Sequence, residues 1–271
     1  MIRPLWVVTL IRKIFPTIKF LSKLTNFPLI GNIVKIFLFK GDNSFYLLQD
    51  KVIPIDRTIE THDEYILPSQ VLEYFIKKSR YIWKMNFCLC RSSIKCKDYP
   101  IDFGCLFLGE ATLGINPQFG KHISEDEALE YLKECRKAGL IHFIGRNKLD
   151  SQWLGANPGD KLMTICNCCP CCCLWKNASI INPLISNKIQ KMPGVTVEVN
   201  DNCIGCGTCI KVKCFVDAIQ IKKGRSVISS ECRGCGRCVS VCPNGAITLT
   251  INDKEYIKKT ILSMSSVVDV T

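Results

Sequence analysis

The chain has 271 residues, 47% apolar and 22% charged, enough to bury one large or two ordinary cores and too apolar for intrinsic disorder. Its formal charge is +12, and nineteen residues are cysteine, an odd number that argues against a fully paired disulfide scaffold. Arg12-Lys13 follows a short apolar run where a secretory signal would carry a small-residue cleavage site, so the expected compartment is a reducing cytoplasm in which thiols persist.

Residues 1–40 read as a basic amphipathic N-terminal segment. Arg3, Arg12, Lys13, Lys19, Lys23, Lys35 and Lys40 stand among Trp6, Phe15, Phe20, Phe27 and many aliphatics, with no acid. The longest uncharged stretch, Leu24 to Val34, is too short to span a bilayer, and prolines 4, 16 and 28 cut the segment into pieces. Such a segment can lie in a lipid interface, dock on a membrane subunit, or pack as a helical hairpin on its own core.

Residues 41–193 form a cysteine-rich domain. Pro68-Ser69 starts a helix whose apolar stripe runs through Val71, Leu72, Phe75, Ile76 and Trp83. It leads into "FCLCRSSIKCKDYPIDFGC", which holds Cys88, Cys90, Cys96 and Cys105. A second helix is expected from Ser124, with Glu127 completing a capping box, to Gly139. Leu129, Leu132 and Cys135 share its inner face, so Cys135 is a packed thiol. Strands are expected at 140–145 and 161–166, joined by a polar arm with Asn157-Pro158-Gly159. Helix, strand, arm, strand is also the order of a winged helix, but the arm has little basic patterning, and no nucleic-acid partner is expected. The histidines 62, 122 and 142 stand alone and read as structural.

The second strand runs into "ICNCCPCCCLW", with Cys166, Cys168, Cys169, Cys171, Cys172 and Cys173 within eight residues. Adjacent cysteines rarely reach disulfide geometry, and Pro170 stiffens the run, so several thiols converging on metal fit better. Neighbouring residues point apart in extended chain, so adjacent thiols can serve two neighbouring centres.

The metal is identified by an internal repeat. "CIGCGTCIKVKC" begins at Cys203, and "CRGCGRCVSVCP" begins at Cys232, the latter being C-x2-C-x2-C-x3-C-P. Glycines 205, 207, 234 and 236 allow tight turns that aim amides at sulfur. Zinc motifs set two pairs about a dozen residues apart, whereas here three cysteines follow at equal spacing, twice. Residues 194–252 closely resemble the bacterial two-[4Fe–4S] ferredoxin domain, in which each fourth cysteine ligates the other cluster. The resemblance implies one cluster on Cys203, Cys206, Cys209 and Cys242 and another on Cys232, Cys235, Cys238 and Cys214. The first repeat departs by one extra residue before Cys214 and by Phe215 in place of proline. From about residue 65 to 250 the chain also resembles a group of anaerobe proteins known only as 4Fe–4S binding proteins, on its C-x-C-R…C…P…C and ICNCCPCCC stretches.

The expected fold is α+β: a helical, winged-helix-like cysteine-rich domain, then a two-cluster ferredoxin-like domain over 194–252, then a polar tail over 253–271. Cys88, Cys90, Cys96, Cys105 and the six thiols from 166 to 173 are read as ligands of one or two further iron–sulfur clusters, with a structural zinc on the first four as the alternative. Each cubane contributes about two negative charges, which reduces the weight of the basicity. The expected function is single-electron transfer between redox partner proteins, peripheral to a membrane through residues 1–40. Lys211, Lys213, Lys222, Lys223, Arg233 and Arg237 would steer acidic partners. The alternatives are a ferredoxin-fed reductase with its active site at the 166–173 run and, behind it, a cluster-sensing DNA-binding regulator. No catalytic residue stands out, and G-x-G-x-x-G is absent, so flavin or nicotinamide binding has no support.

Overall fold

The computed structural model describes residues 2–52 and 67–271; His62 lies outside the described residues. The prolines divide the N-terminal segment as expected. Helix α1 (Leu5–Ile14) begins after Pro4, Pro16 sits in a tight turn that leads into α2 (Ile18–Leu24), and Pro28 opens α3 (Pro28–Phe39). Proline at a helix start gives up only an amide that has no intrahelical partner anyway.

Next come β1 (Asn43–Tyr46), α4 (Ser69–Lys78), β2 (Ile82–Met85), α5 (Leu89–Ile94), β3 (Leu106–Leu108) and β4 (Gly120–His122). They are followed by α6 (Glu125–Lys137), β5 (Ile141–Arg146), α7 (Lys148–Leu154), β6 (Met163–Cys168), α8 (Pro183–Ser186) and β7 (Ile189–Lys191). The seven strands form one sheet in the order β4-β2-β3-β6-β5-β1-β7, antiparallel throughout except for the β1–β7 pair.

Alternation along each strand gives the sheet two apolar faces. Phe45, Leu106, Leu108, Ile144, Met163 and Ile165 point one way, into a core shared with α4 and α6. Phe107, Phe143, Tyr46 and Trp83 point the other way, toward the N-terminal helix and Trp175. Burying each of these large side chains stabilises the fold by about 1.5–3 kcal/mol relative to exposure. The predicted stripe on α4 holds for Val71, Leu72, Phe75 and Ile76, which are buried. Trp83 does not continue it, because Ser79 turns extended and the chain enters β2, where Trp83 faces the opposite layer. Helix α6 carries the predicted capping box: Glu127 N–H donates to Ser124 Oγ at 3.2 Å, and Ser124 N–H donates to Glu127 Oε2 at 2.8 Å.

The arm between β5 and β6 is not a projecting wing. Its first half folds as α7, with Leu154 and Ala156 fully buried and Trp153 nearly so, because these apolar residues complete the core beneath β3. The winged-helix likeness therefore gives way to an α+β fold with a broad, covered sheet.

The C-terminal part holds β8 (Val195–Val199), α9 (Thr208–Lys211), β9 (Ile219–Lys222), β10 (Arg225–Ile228) and β11 (Ile247–Ile251). β8 pairs with β11 and β9 with β10, both antiparallel. The segment read as a polar tail folds as α10 (Tyr256–Ser265) and returns to the upstream core. Tyr256, Ile257, Thr260 and Met264 recur at helical spacing and are buried, and Val268 and Val270 follow them inward.

Candidate metal centres

The ladder thiols gather in two groups. One pocket is lined by Cys203, Cys206, Cys209 and Cys242, and a second by Cys214, Cys232, Cys235 and Cys238 together with Cys209. The two repeats present their fourth cysteines alike: Ala218 N–H donates to Cys214 Sγ at 3.4 Å, and Ala246 N–H to Cys242 Sγ at 3.2 Å. Ser226 and Gly234 amides point at Cys203 and Cys232. The extra residue of the first repeat is absorbed at Lys213, which adopts a left-handed φ of 55° immediately before Cys214. Gly205, at φ 68°, packs its backbone on Gly224, leaving no room for a Cβ. Cys206 is exposed, so the first group reaches the surface there although its Cys209 is buried, whereas burial pushes Cys235 of the second group up to about 12. Four thiols lining one pocket, with amides aimed at sulfur, fit a cubane.

The ten upstream thiols fall into two groups that share Cys169. Cys88, Cys90, Cys105, Cys166, Cys168, Cys169 and Cys173 line a cavity of about 240 Å³. Cys166 and Cys168 lie on one face of β6, with Cys105 Sγ 3.4 Å from Cys166 Sγ and Cys173 Sγ 3.5 Å from Cys168 Sγ. Cys88 caps α5, and Cys90 stands in its first turn. A hydrogen bond from the Cys90 thiol, aided by Arg91, draws Cys88 down to about 6. Ile11, Ile14, Phe15 and Ile18 close the far side, so the N-terminal helices cover these thiols. The other set is Cys96, Cys169, Cys171 and Cys172, whose sulfurs all lie within 4.8 Å of one another. Cys169 belongs to both groups, lining the cavity while its sulfur joins this cluster, whereas the neighbours Cys172 and Cys173 part company. The quartet of 88, 90, 96 and 105 does not form, since Cys96 stands with the second set.

Arg91 lies between the two sets and is fully buried. Its guanidinium donates to the carbonyls of Asn167, at 2.8 Å, and Phe103. No carboxylate pairs with it among the described residues. Burial works against its charge, but the sulfurs of Cys88, Cys169 and Cys105 outweigh that and raise its pKa. Asn167 is a second hub, donating to Gly104 O at 2.8 Å and facing His142 Nδ1 at 2.9 Å. Burial lowers His142 to about 3, so it stays neutral, consistent with a structural role. His122 stacks edge-on against Trp83. Cys135 is fully buried against Tyr131, belongs to neither thiol group, and burial pushes it up to about 12.

Sequence reading missed Tyr46. This buried side chain lines the pocket of Cys214 and Cys235, stacks on Phe215 at 5.4 Å, and places its hydroxyl 3.9 Å from Cys173 Sγ. An aromatic on a short strand 127 residues from its thiol partner gives no local signal. Two of the basic residues assigned to partner steering are committed internally. Arg237 donates to Val212 O, Gly139 O and Tyr99 Oη, bridging the ladder to the upstream domain, and Arg233 pairs with Glu231. Lys211, Lys213, Lys222 and Lys223 remain exposed.

Thirteen of the twenty-three exposed large apolar side chains among the described residues lie between Ile2 and Phe37, which marks α1–α3 as the main unpartnered apolar surface. No helix among the described residues is long and apolar enough to cross a membrane.

A ladder of thiols folded into paired pockets defines an iron–sulfur protein. The family model of the 4Fe-4S dicluster domain matches residues 197–249, the span of the ladder and its flanking strands. No curated protein and no solved structure matches the chain.

Proposed function

We propose that this chain relays single electrons between redox partner proteins through two [4Fe–4S] clusters in the ladder and a further iron–sulfur cluster in the upstream thiol-lined cavity. Cys203, Cys206, Cys209 and Cys242 hold the outer cubane, and Cys214, Cys232, Cys235 and Cys238 hold the inner one. A bound cubane exchanges one electron at a time, at a potential set by burial, charge and hydrogen bonds to its sulfurs. The chain supplies those hydrogen bonds from the amides of Ser226, Gly234, Ala218 and Ala246. The observation that carries the relay is Tyr46, packed on the ladder by its ring and against Cys173 by its hydroxyl. Partners reach the outer cubane where Cys206 and Ile204 are exposed.

The test is an anaerobic count of iron and acid-labile sulfide. About eight of each confines clusters to the ladder and defeats the relay, and about twelve or more supports it. Reduction should then reveal a spin-resonance signal beyond that of two coupled ferredoxin cubanes.

The reductase reading has one observation in its favour, the cavity itself, whose apolar far wall leaves space beside the thiols. Turnover of a small electrophile, abolished by Cys173→Ser while the ladder signals persist, would establish it. The regulator reading lacks an exposed wing, since α7 is packed into the core.

The surface of α1–α3 fits an anionic bilayer. Lys13, Lys19, Lys23 and Lys40 are exposed among the apolar side chains, and residues 1–40 contain no acid. The loaded protein should float with phosphatidylglycerol vesicles and less with phosphatidylcholine vesicles. Absence of binding to both would defeat membrane docking.

A further inference from the structure

We propose that Cys96, Cys169, Cys171 and Cys172 hold a single tetrahedral metal ion, zinc or ferrous iron, distinct from the clusters of the ladder and the cavity. The inference rests on the metal-binding reading of the upstream thiols, but not on electron transfer or on what fills the cavity.

Spacing carries it. Cys171 Sγ stands 3.5 Å from each of Cys96, Cys169 and Cys172, and all four sulfurs lie within 4.8 Å of one another. Four thiolates at about 2.3 Å from one ion stand about 3.8 Å apart along the edges of a tetrahedron. A cubane presents four separate iron corners, so its thiolates stand wider. Among the described residues no other group of three or more cysteine, histidine or acidic side chains packs this tightly, the two ladder quartets included. A set of four soft sulfurs with no carboxylate or imidazole selects zinc or iron over hard cations.

The local chain is shaped for the task. Lys95 closes α5 in the left-handed region at φ 53°, and Cys96 N–H bonds back to Arg91 O at 2.9 Å, which turns Cys96 away from the helix axis. After β6, Pro170 begins a turn that brings Cys169, Cys171 and Cys172 onto the same point. An ion there ties α5 to the end of β6. The residues just outside its ligands, Cys168 and Cys173, are then held facing each other at 3.5 Å across the cavity. The ion is thus a pin that sets the shape of the thiol-lined cavity, on whose wall its ligand Cys169 stands.

The experiment counts zinc, iron and acid-labile sulfide on the full chain purified without oxygen, as wild type and as Cys96→Ser. The expected result is that Cys96→Ser loses about one metal equivalent and no sulfide. Parallel loss of iron and sulfide, or no loss of metal, overturns the proposal. A wild type free of sulfide would instead defeat the cluster reading of the ladder. Cys96→His serves if the serine variant does not fold, because three cysteines and a histidine are a familiar zinc set. It should retain the metal equivalent with unchanged sulfide, and joint loss of iron and sulfide would again overturn the assignment.

Discussion

Replacing Arg91 by methionine keeps much of the side-chain volume and removes a fully buried cation from between the two upstream thiol groups. The carbonyls of Asn167 and Phe103 would lose their donor, and the sulfur charge of Cys88, Cys105 and Cys169 would lose its counter-ion. Removing one partner from a buried charged group costs about 3–5 kcal/mol, because the other is left uncompensated. For a chain of this size, each kcal/mol moves the thermal midpoint by about 2–4 °C, so Arg91→Met should melt about 6–20 °C below wild type. Arg91→Lys keeps the charge but not the planar fork that reaches two carbonyls at once, and should fall between. The assay is a thermal scan of anaerobically loaded protein, with iron and sulfide counted on the same samples. Full metal content and a midpoint within about 3 °C of wild type would refute the reasoning, since that is less than the smallest shift expected from losing a buried counter-ion.

Three further outcomes follow from local geometry. Gly205→Ala would place a Cβ 2.1 Å from Gly224 O at a φ of 68°, and should cost the outer cubane, read as a loss of about four irons. Ser124→Ala removes half of the capping box of α6 and should destabilise the fold by about 1 kcal/mol, visible in a denaturant midpoint with metal content unchanged. His142 is held neutral in the fold, so its contribution is complete above its ordinary value of 6.5 and fades as pH falls toward about 3. Between pH 7.5 and 5 it should account for about 2 kcal/mol of lost stability. His142→Asn should narrow the wild-type difference in unfolding free energy between those two pH values, and an unchanged difference would contradict a buried neutral imidazole.

Much of the architecture was legible because it is written in local periodicities. The capping box at Ser124, the stripe on α4 and the apolar runs at 140–145 and 161–166 each declare an element within a few residues. The ladder was legible for the same reason, since its spacing is a property of one short loop repeated. The upstream site was not. Which of Cys88, Cys90, Cys96 and Cys105 meets which member of the 166–173 run depends on the turn at Lys95 and the pairing of β3 with β6, and neither leaves a local mark. Tyr46 and Arg237 escaped for a related reason, since each acts by joining distant stretches of chain. The tail was misjudged because its buried positions, one per helical turn, are diluted by lysines and serines on the outer side.

The course of α10 bears on how the redox module is mounted. β7 leaves the large sheet just before the ladder begins, and α10 rejoins the helices beneath that sheet just after it ends. The unit that matches the 4Fe-4S dicluster domain is therefore an insertion anchored by both its stalks, with Arg237 as a third strut. A lobe fastened in this way keeps its place against the large sheet, so on the proposed relay the gap between ladder and cavity would be set by the scaffold and not by a hinge.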